Sequence, residues 1–127
     1  MKSLLLDVNK NRVTIVDPQG LDDYYDLIGC RLIDIPARRI GEKWFNIICD
    51  DEGALKDYPR VSAIDDHCNT QLVGSLIITG GVDEEGELLP LSEDDIIYLS
   101  RYIRPMIMVD FETRKPEYWL MLTHCNY

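Results

Sequence analysis

The stretch LVGSLIITGGVDEEGELLPLSEDDIIYLSRYIRP, residues 72–105, decides the fold class. Val73 to Val82 runs through Leu76, Ile77 and Ile78 and predicts a strand. Asp83, Glu84, Glu85 and Gly86 then form a turn, with Gly86 suited to the αL position of a short hairpin loop, and Leu88 and Leu89 return as a short strand. Ser92 is a natural N-cap, and Asp95 stands where the acid of a capping box would sit. Glu93, Asp94 and Asp95 place negative charge at the positive end of the helix dipole. Ile96, Leu99 and Ile103 make an apolar stripe, and Pro105 stops it, so a helix is expected over 92–104.

Reading outward toward the N-terminus, Leu4, Leu5 and Leu6 predict a strand. Asn9, Lys10, Asn11 and Arg12 predict a turn, and Val13 to Val16 a second strand, which together make a hairpin. Pro18 and Gly20 break it. Leu21, Tyr24, Tyr25 and Ile28 share one face of a short helix over 21–28, with Asp22 and Asp23 in its first turn and Gly29 placed to end it. Arg31 to Ile35 reads as a strand ended by Pro36. Lys43 to Cys49 has Trp44, Phe45, Ile47 and Ile48 on both faces, which predicts a central strand covered twice. Asp50, Asp51, Glu52 and Gly53 form a turn. Residues 54–72 have the weakest periodicity and predict a long loop with a helical turn. Met106 to Phe111 and Tyr118 to Leu122 predict a C-terminal hairpin. The expectation is an α+β fold: a mixed or mainly antiparallel sheet of about five to seven strands, packed by two short helices, 21–28 and 92–104. It occupies one domain over 1–127, with 105–127 as a C-terminal extension to the core.

The chain has 127 residues, 23 of them acidic and 13 basic, for a net charge of −10. That balance disfavours direct nucleic-acid binding, which needs clustered Lys and Arg, and disfavours anionic membrane surfaces. It suits a soluble domain, or an acidic face that competes for a basic groove on a partner. Met1 to Val8 lacks the apolar length of a secretory leader, and no run approaches the roughly 18 apolar residues of a membrane span. Cys30, Cys49, Cys68 and Cys125 are therefore expected as reduced thiols in a cytoplasmic protein.

Two tripeptides are alike: His67-Cys68-Asn69 and His124-Cys125-Asn126. Imidazole and thiolate are zinc ligands, but adjacent residues of an extended chain point to opposite sides, and the spacing matches no paired-ligand pattern. A Cys–His nucleophilic pair could be assembled from the same residues, yet no local signature marks either thiol as activated, and Cys49 is expected to be inert in a strand core. Asp50, Asp51 and Glu52, Asp65 and Asp66, and Asp83, Glu84, Glu85 and Glu87 read as solvated turns; none has the spacing of a calcium loop. Thr79-Gly80-Gly81 lacks the rest of a phosphate-binding signature and reads as a bulge or tight bend. Tyr24, Tyr25, Tyr118 and Trp119 are aromatic neighbours able to form a protein-binding patch or to complete the core. No catalytic, cofactor-binding or metal-binding residue is assigned.

LDDYYDLIGCRLIDI (21–35), DDEGALKDYP (50–59) and LVGSLIITGGVDEEGELLPLSEDDI (72–96) together resemble a small family of bacterial and phage proteins catalogued only as a domain of unknown function, over roughly residues 1–104. The resemblance implies an association with mobile elements and brings no catalytic residues with it. The tail from Pro105 to Tyr127 extends past the family's usual end.

Three functions remain in order. The first is a non-enzymatic protein-interaction module with an acidic and aromatic surface and an unidentified protein partner. The second is a structural domain that homodimerises through 105–127. The third is a small ligand binder, metal binder or enzyme using the 54–72 loop, with Asp65, Asp66, His67 or Cys68 near a pocket.

Overall fold

Three strands with apolar side chains on both faces set the layering. The computed structural model describes residues 1–56, 59–109 and 112–127. Its strands are β1 (Ser3–Asp7), β2 (Arg12–Val16), β3 (Ile33–Asp34), β4 (Ala37–Ile40), β5 (Lys43–Asp50), β6 (Val61–Ile64), β7 (Thr70–Val73), β8 (Leu76–Thr79), β9 (Ile103–Val109), β10 (Pro116–Leu122) and β11 (Cys125–Asn126). Among the described residues the helices are α1 (Leu21–Ile28) and α2 (Glu93–Ser100), with a 3-10 turn at Gly53–Leu55. The fold is α+β, in two sheets. A seven-stranded sheet runs β11-β4-β5-β8-β1-β2, with β3 also pairing with β5, and a four-stranded sheet runs β7-β6-β10-β9. Among the described residues every strand pairing is antiparallel except β10 on β6.

β1, β8 and β5 are neighbours in the large sheet, and their side chains alternate between two buried clusters. Leu5, Ile77 and Ile48 face one way and are covered by Ile28, Tyr24 and Leu27 of α1. Leu4, Leu6, Leu76, Ile78, Phe45 and Ile47 face the other way. There they meet Ala63 of β6, Leu72 of β7, Leu99 of α2, and Leu122 of β10. The double cover expected for residues 43–49 is present.

The first hairpin forms as read: Ser3 pairs with Val16 and Asp7 with Arg12, and the Asp7 carboxylate accepts from the Asn9 and Lys10 amides across the turn. Gly29 caps α1 with φ 75°, its amide bonded to Tyr25 O. Ser92 and Asp95 make the reciprocal capping box of α2.

Five expectations are corrected. The α2 helix ends at Ser100, not 104, because Ile103–Val109 pairs along its whole length with β10, from Ile103–Leu122 to Val109–Pro116. Pro105 sits inside that strand, tolerated because β9 is an edge. The 54–72 segment is no long loop: β6 and β7 form a hairpin with irregular register. Residues 73–82 are not one strand, since Gly74, at φ 84°, turns the chain from β7 to β8. Residues 31–35 supply only the two-residue β3, and β4 follows Pro36 directly. The return at Leu88 is a single bridge to Val82.

The last residues cross from one sheet to the other. Leu122 ends β10 beside Ala63, and Cys125 opens β11 beside Ile40 of β4. Leu122 and Cys125 are both fully buried in the larger cluster. Replacing a buried Leu by Ala removes its transfer energy and leaves a cavity. Leu122→Ala is therefore expected to lower the unfolding free energy by about 2–5 kcal/mol in a urea titration. A loss well below about 1 kcal/mol would contradict the packing of this segment into the core.

Candidate functional site

The turn between β6 and β7 is built on Asp65. Its Oδ1 accepts from the His67 amide at 2.8 Å and the Asn69 amide at 2.9 Å, while Oδ2 accepts from Gln71 Nε2 at 3.1 Å. These bonds, with the Asn69 amide foremost, hold the Asp65 carboxyl below its usual range. Cys68 closes the turn at φ 62° and is exposed.

The crossover at the other end of the chain docks onto this turn. His124 Nδ1 lies 2.6 Å from Asp66 Oδ1, and Asn126 Nδ2 donates to the same oxygen at 3.2 Å. The Asp66 amide returns a bond to Asn126 Oδ1 at 3.2 Å. Hydrogen bonding from His124 is the first cause of the lowered Asp66 pKa. The His124 ring stands edge-on to Tyr102, with centroids 5.7 Å apart. The two like tripeptides are thus brought into the same region through Asp66, which joins His124 and Asn126 of the second to the turn that carries the first.

This arrangement is a clasp and does not assemble a metal set. Among the described residues no three His, Cys, Asp or Glu side chains converge as a metal ion needs. Three of the four thiols, Cys30, Cys49 and Cys125, are also poorly placed for nucleophilic work. Burial pushes the Cys49 and Cys125 thiols up to about 12, and it raises Cys30 as well. A thiol so placed is protonated at neutral pH and is a poor nucleophile.

Thr79-Gly80-Gly81 is used up structurally. The Gly80 amide donates to Leu89 O at 2.9 Å, and the Leu89 amide donates to Gly81 O at 2.8 Å. A Cβ on Gly80 would lie 2.8 Å from Pro90 O, so the glycine permits the 88–90 segment to approach. The Thr79 hydroxyl binds Asn46 O across the sheet.

An open cleft of about 620 Å³ lies between the end of α1 and the 50–56 turn. Its cations are internally paired. Arg31 grips Glu52 in a two-point contact at 2.9 and 3.2 Å, and Lys56 Nζ lies 2.6 Å from the Asp50 carboxylate, whose side chain is 5% exposed. Sequence reasoning missed this cleft, since its walls come from α1, Cys30, Arg31 and the acidic turn, none of which carries a motif.

Two surface features stand out instead. On one, Leu88 packs against the same buried cluster as Tyr24 and Leu27, on the α1 side of the large sheet. Asp83 Oδ1 orders that turn by accepting from the Glu85 and Glu87 amides at 2.8 and 2.9 Å. The Tyr24 phenol is raised by burial, then by the charges of Asp23 and Glu87, one from each run. The other feature is the β9–β10 hairpin, where Tyr118 is exposed. Its neighbour Trp119 is half-buried beneath the Arg60 guanidinium, 4.9 Å from the ring centre. Tyr24 and Tyr25 are both half-buried on α1.

A thiol-labelling experiment tests the burial of these thiols. Iodoacetamide at neutral pH is expected to modify Cys68 in the native protein and to reach Cys49 and Cys125 only after denaturation. Rapid native labelling of Cys49 or Cys125 would contradict it.

No helix among the described residues is long and apolar enough to cross a membrane. No curated protein and no solved structure matches the chain. A family match spans residues 1–104, leaving most of β9 and all of β10 and β11 outside it, and on that match the chain belongs to the family described as Domain of unknown function (DUF3846).

Proposed function

We propose that the protein is a non-enzymatic protein-interaction module that offers an acidic face to a cationic partner surface. The observation that carries the reading is the meeting of two acidic runs far apart in sequence. Asp22, Asp23 and Asp26 lie on α1, and Asp83, Glu84, Glu85 and Glu87 lie on the turn that packs beside it. Like charges held together in a folded domain repel one another, and a partner of opposite sign relieves that repulsion. The exposed apolar side chains Leu21, Val82 and Leu89 lie on the same two segments and would give a partner apolar contact beside the charge.

The four unpaired thiols suit a reducing compartment such as the cytosol. The reading of the module as a phage or mobile-element protein rests on the resemblance of its turns and strands. A survey of the adjoining genes tests it: nuclease or restriction genes beside this one would support it, and a housekeeping operon would count against it.

Affinity capture from the source cells tests the acidic face directly. The protein is expected to hold a basic partner at low salt and to release it at moderate salt, because exposed charges are screened beyond about 8 Å at physiological ionic strength. The triple variant Glu84→Lys, Glu85→Lys, Glu87→Lys is expected to lose capture while keeping its fold, since all three side chains are exposed. A partner that stays bound at high salt, or binds the variant equally, contradicts the reading.

A further inference from the structure

The β9 strand ends the four-stranded sheet, and its backbone direction follows from its neighbour β10. The Leu120 amide donates to Asn11 Oδ1 at 2.9 Å, and Asn11 Nδ2 donates to Tyr118 O at 2.9 Å. The polar backbone groups of Tyr118 and Leu120 therefore face Asn11, away from β9. In an antiparallel ladder, two directly opposed residues either exchange both bonds or turn both sets of groups outward. Tyr118 is opposite Ile107 and Leu120 is opposite Pro105, so Ile107 and Pro105 turn theirs to the open edge of β9. Val109, two residues beyond Ile107 and opposite Pro116, follows the same alternation.

The residues that open this edge also carry an exposed apolar strip. Ile107 is 80% exposed, Val109 61% and Tyr118 56%. Pro105 and Pro116 lie on the same face of the hairpin by alternation and are exposed. An open edge with large apolar side chains invites another strand.

We propose that the strand taken up is β9 of a second copy of this chain, paired antiparallel about a two-fold axis at Ile107. The charge distribution selects this occupant. The chain carries −10 overall, so two copies repel over most of their surfaces. The strands β9 and β10 carry one arginine, Arg104, and one glutamate, Glu117, and no net charge. The hairpin is therefore a face on which two acidic copies meet without that repulsion. A cationic partner of the kind drawn to the acidic face finds no excess of carboxylates here.

Pro105 also settles the register. A two-fold centred on Pro105 would oppose two residues that have no N–H and would form no central bonds. Centred on Ile107, each copy's Ile107 N–H meets the other's Ile107 C=O, and each Val109 N–H meets the other's Pro105 C=O. The same symmetry brings Ile107, Val109 and Tyr118 of both copies into one apolar band, and two four-stranded sheets become a continuous sheet across the axis.

The test is the solution mass of the full chain by analytical ultracentrifugation, at micromolar and millimolar loading. Twice the chain mass is expected at the higher loading. Ile107→Lys is expected to restore the single-chain mass with an unchanged circular dichroism spectrum and unfolding midpoint, since the side chain is largely in solvent. Val109→Lys gives the same reading independently if the first variant folds poorly. In the wild type, amide exchange at Ile107 and Val109 is expected to slow as concentration rises. Single-chain mass at every loading overturns the proposal. So does a double mass that neither variant reduces, or a different protein found seated on β9 of an otherwise monomeric chain. The acidic-face reading stands or falls separately, because none of these variants touches α1 or the 83–87 turn.

Discussion

Ile77 is packed on one side of the large sheet while Leu76 and Ile78, its immediate neighbours, are packed on the other. Two-sided burial of β8, shared by β1 and β5, is the constraint on which the remaining structure depends. A strand buried on one face needs one covering layer; a strand buried on both needs two. α1 supplies the first through Ile28, Tyr24 and Leu27. The second must be larger, and it is assembled from distant pieces: β6 and β7, α2, and β10 from near the end of the chain. Each buried Leu or Ile contributes about 1.5–3 kcal/mol relative to exposure, which makes the two covers energetically obligatory for a small domain.

That demand explains why several functional-looking residues serve architecture. Carrying the chain from β10 to β11 requires a tight crossover, and His124, at φ 53°, forms it. Its carbonyl accepts from the Gly41 amide at 3.0 Å, and its ring binds Asp66. Gly41 itself has no room for a side chain, since an added Cβ would collide with the hydroxyls of Tyr98 and Tyr102. The Tyr98 hydroxyl donates to Ile40 O at 2.6 Å and accepts from the Glu42 amide at 3.0 Å, and Lys43 pairs with Asp95 at the start of α2. The clasp at Asp66 and this aromatic seam join the small sheet and α2 to the β11-β4-β5 end of the large one.

What could be read from residues alone follows the range of the interactions involved. The β1–β2 turn, the Gly29 stop and the Ser92–Asp95 box are decided within a few residues, and each was legible. The two-faced pattern of Lys43 to Cys49 was legible as a central strand. The β6–β7 hairpin was not. Its strands are short, interrupted by register shifts, and occupied at Ser62 and Ala63 by small residues that give little strand signal. They exist because Leu122, some sixty positions later in the chain, lies beside Ala63. Pro105 misled for the complementary reason, since a helix stop and an edge-strand proline look alike until the partner β10 is in place. At the candidate site, Asp65 and Asp66 read as acids of a solvated turn within a long loop, yet Asp65 is bonded to its own turn and Asp66 to the C-terminal crossover. The acidic meeting of α1 with the 83–87 turn was invisible because it depends on Leu88 and Tyr24, distant in sequence, packing against one buried cluster.

Native-state hydrogen exchange, followed amide by amide, tests the two-sided burial most directly. Amides at the centre of the large sheet, those of Leu5, Ile47 and Ile77, should open only with global unfolding and therefore exchange last, together and with the same denaturant dependence. If the Ile77 amide instead exchanged as readily as those of the outer strand β2, β8 would not be the doubly covered centre of the fold, and the layering described here would be wrong.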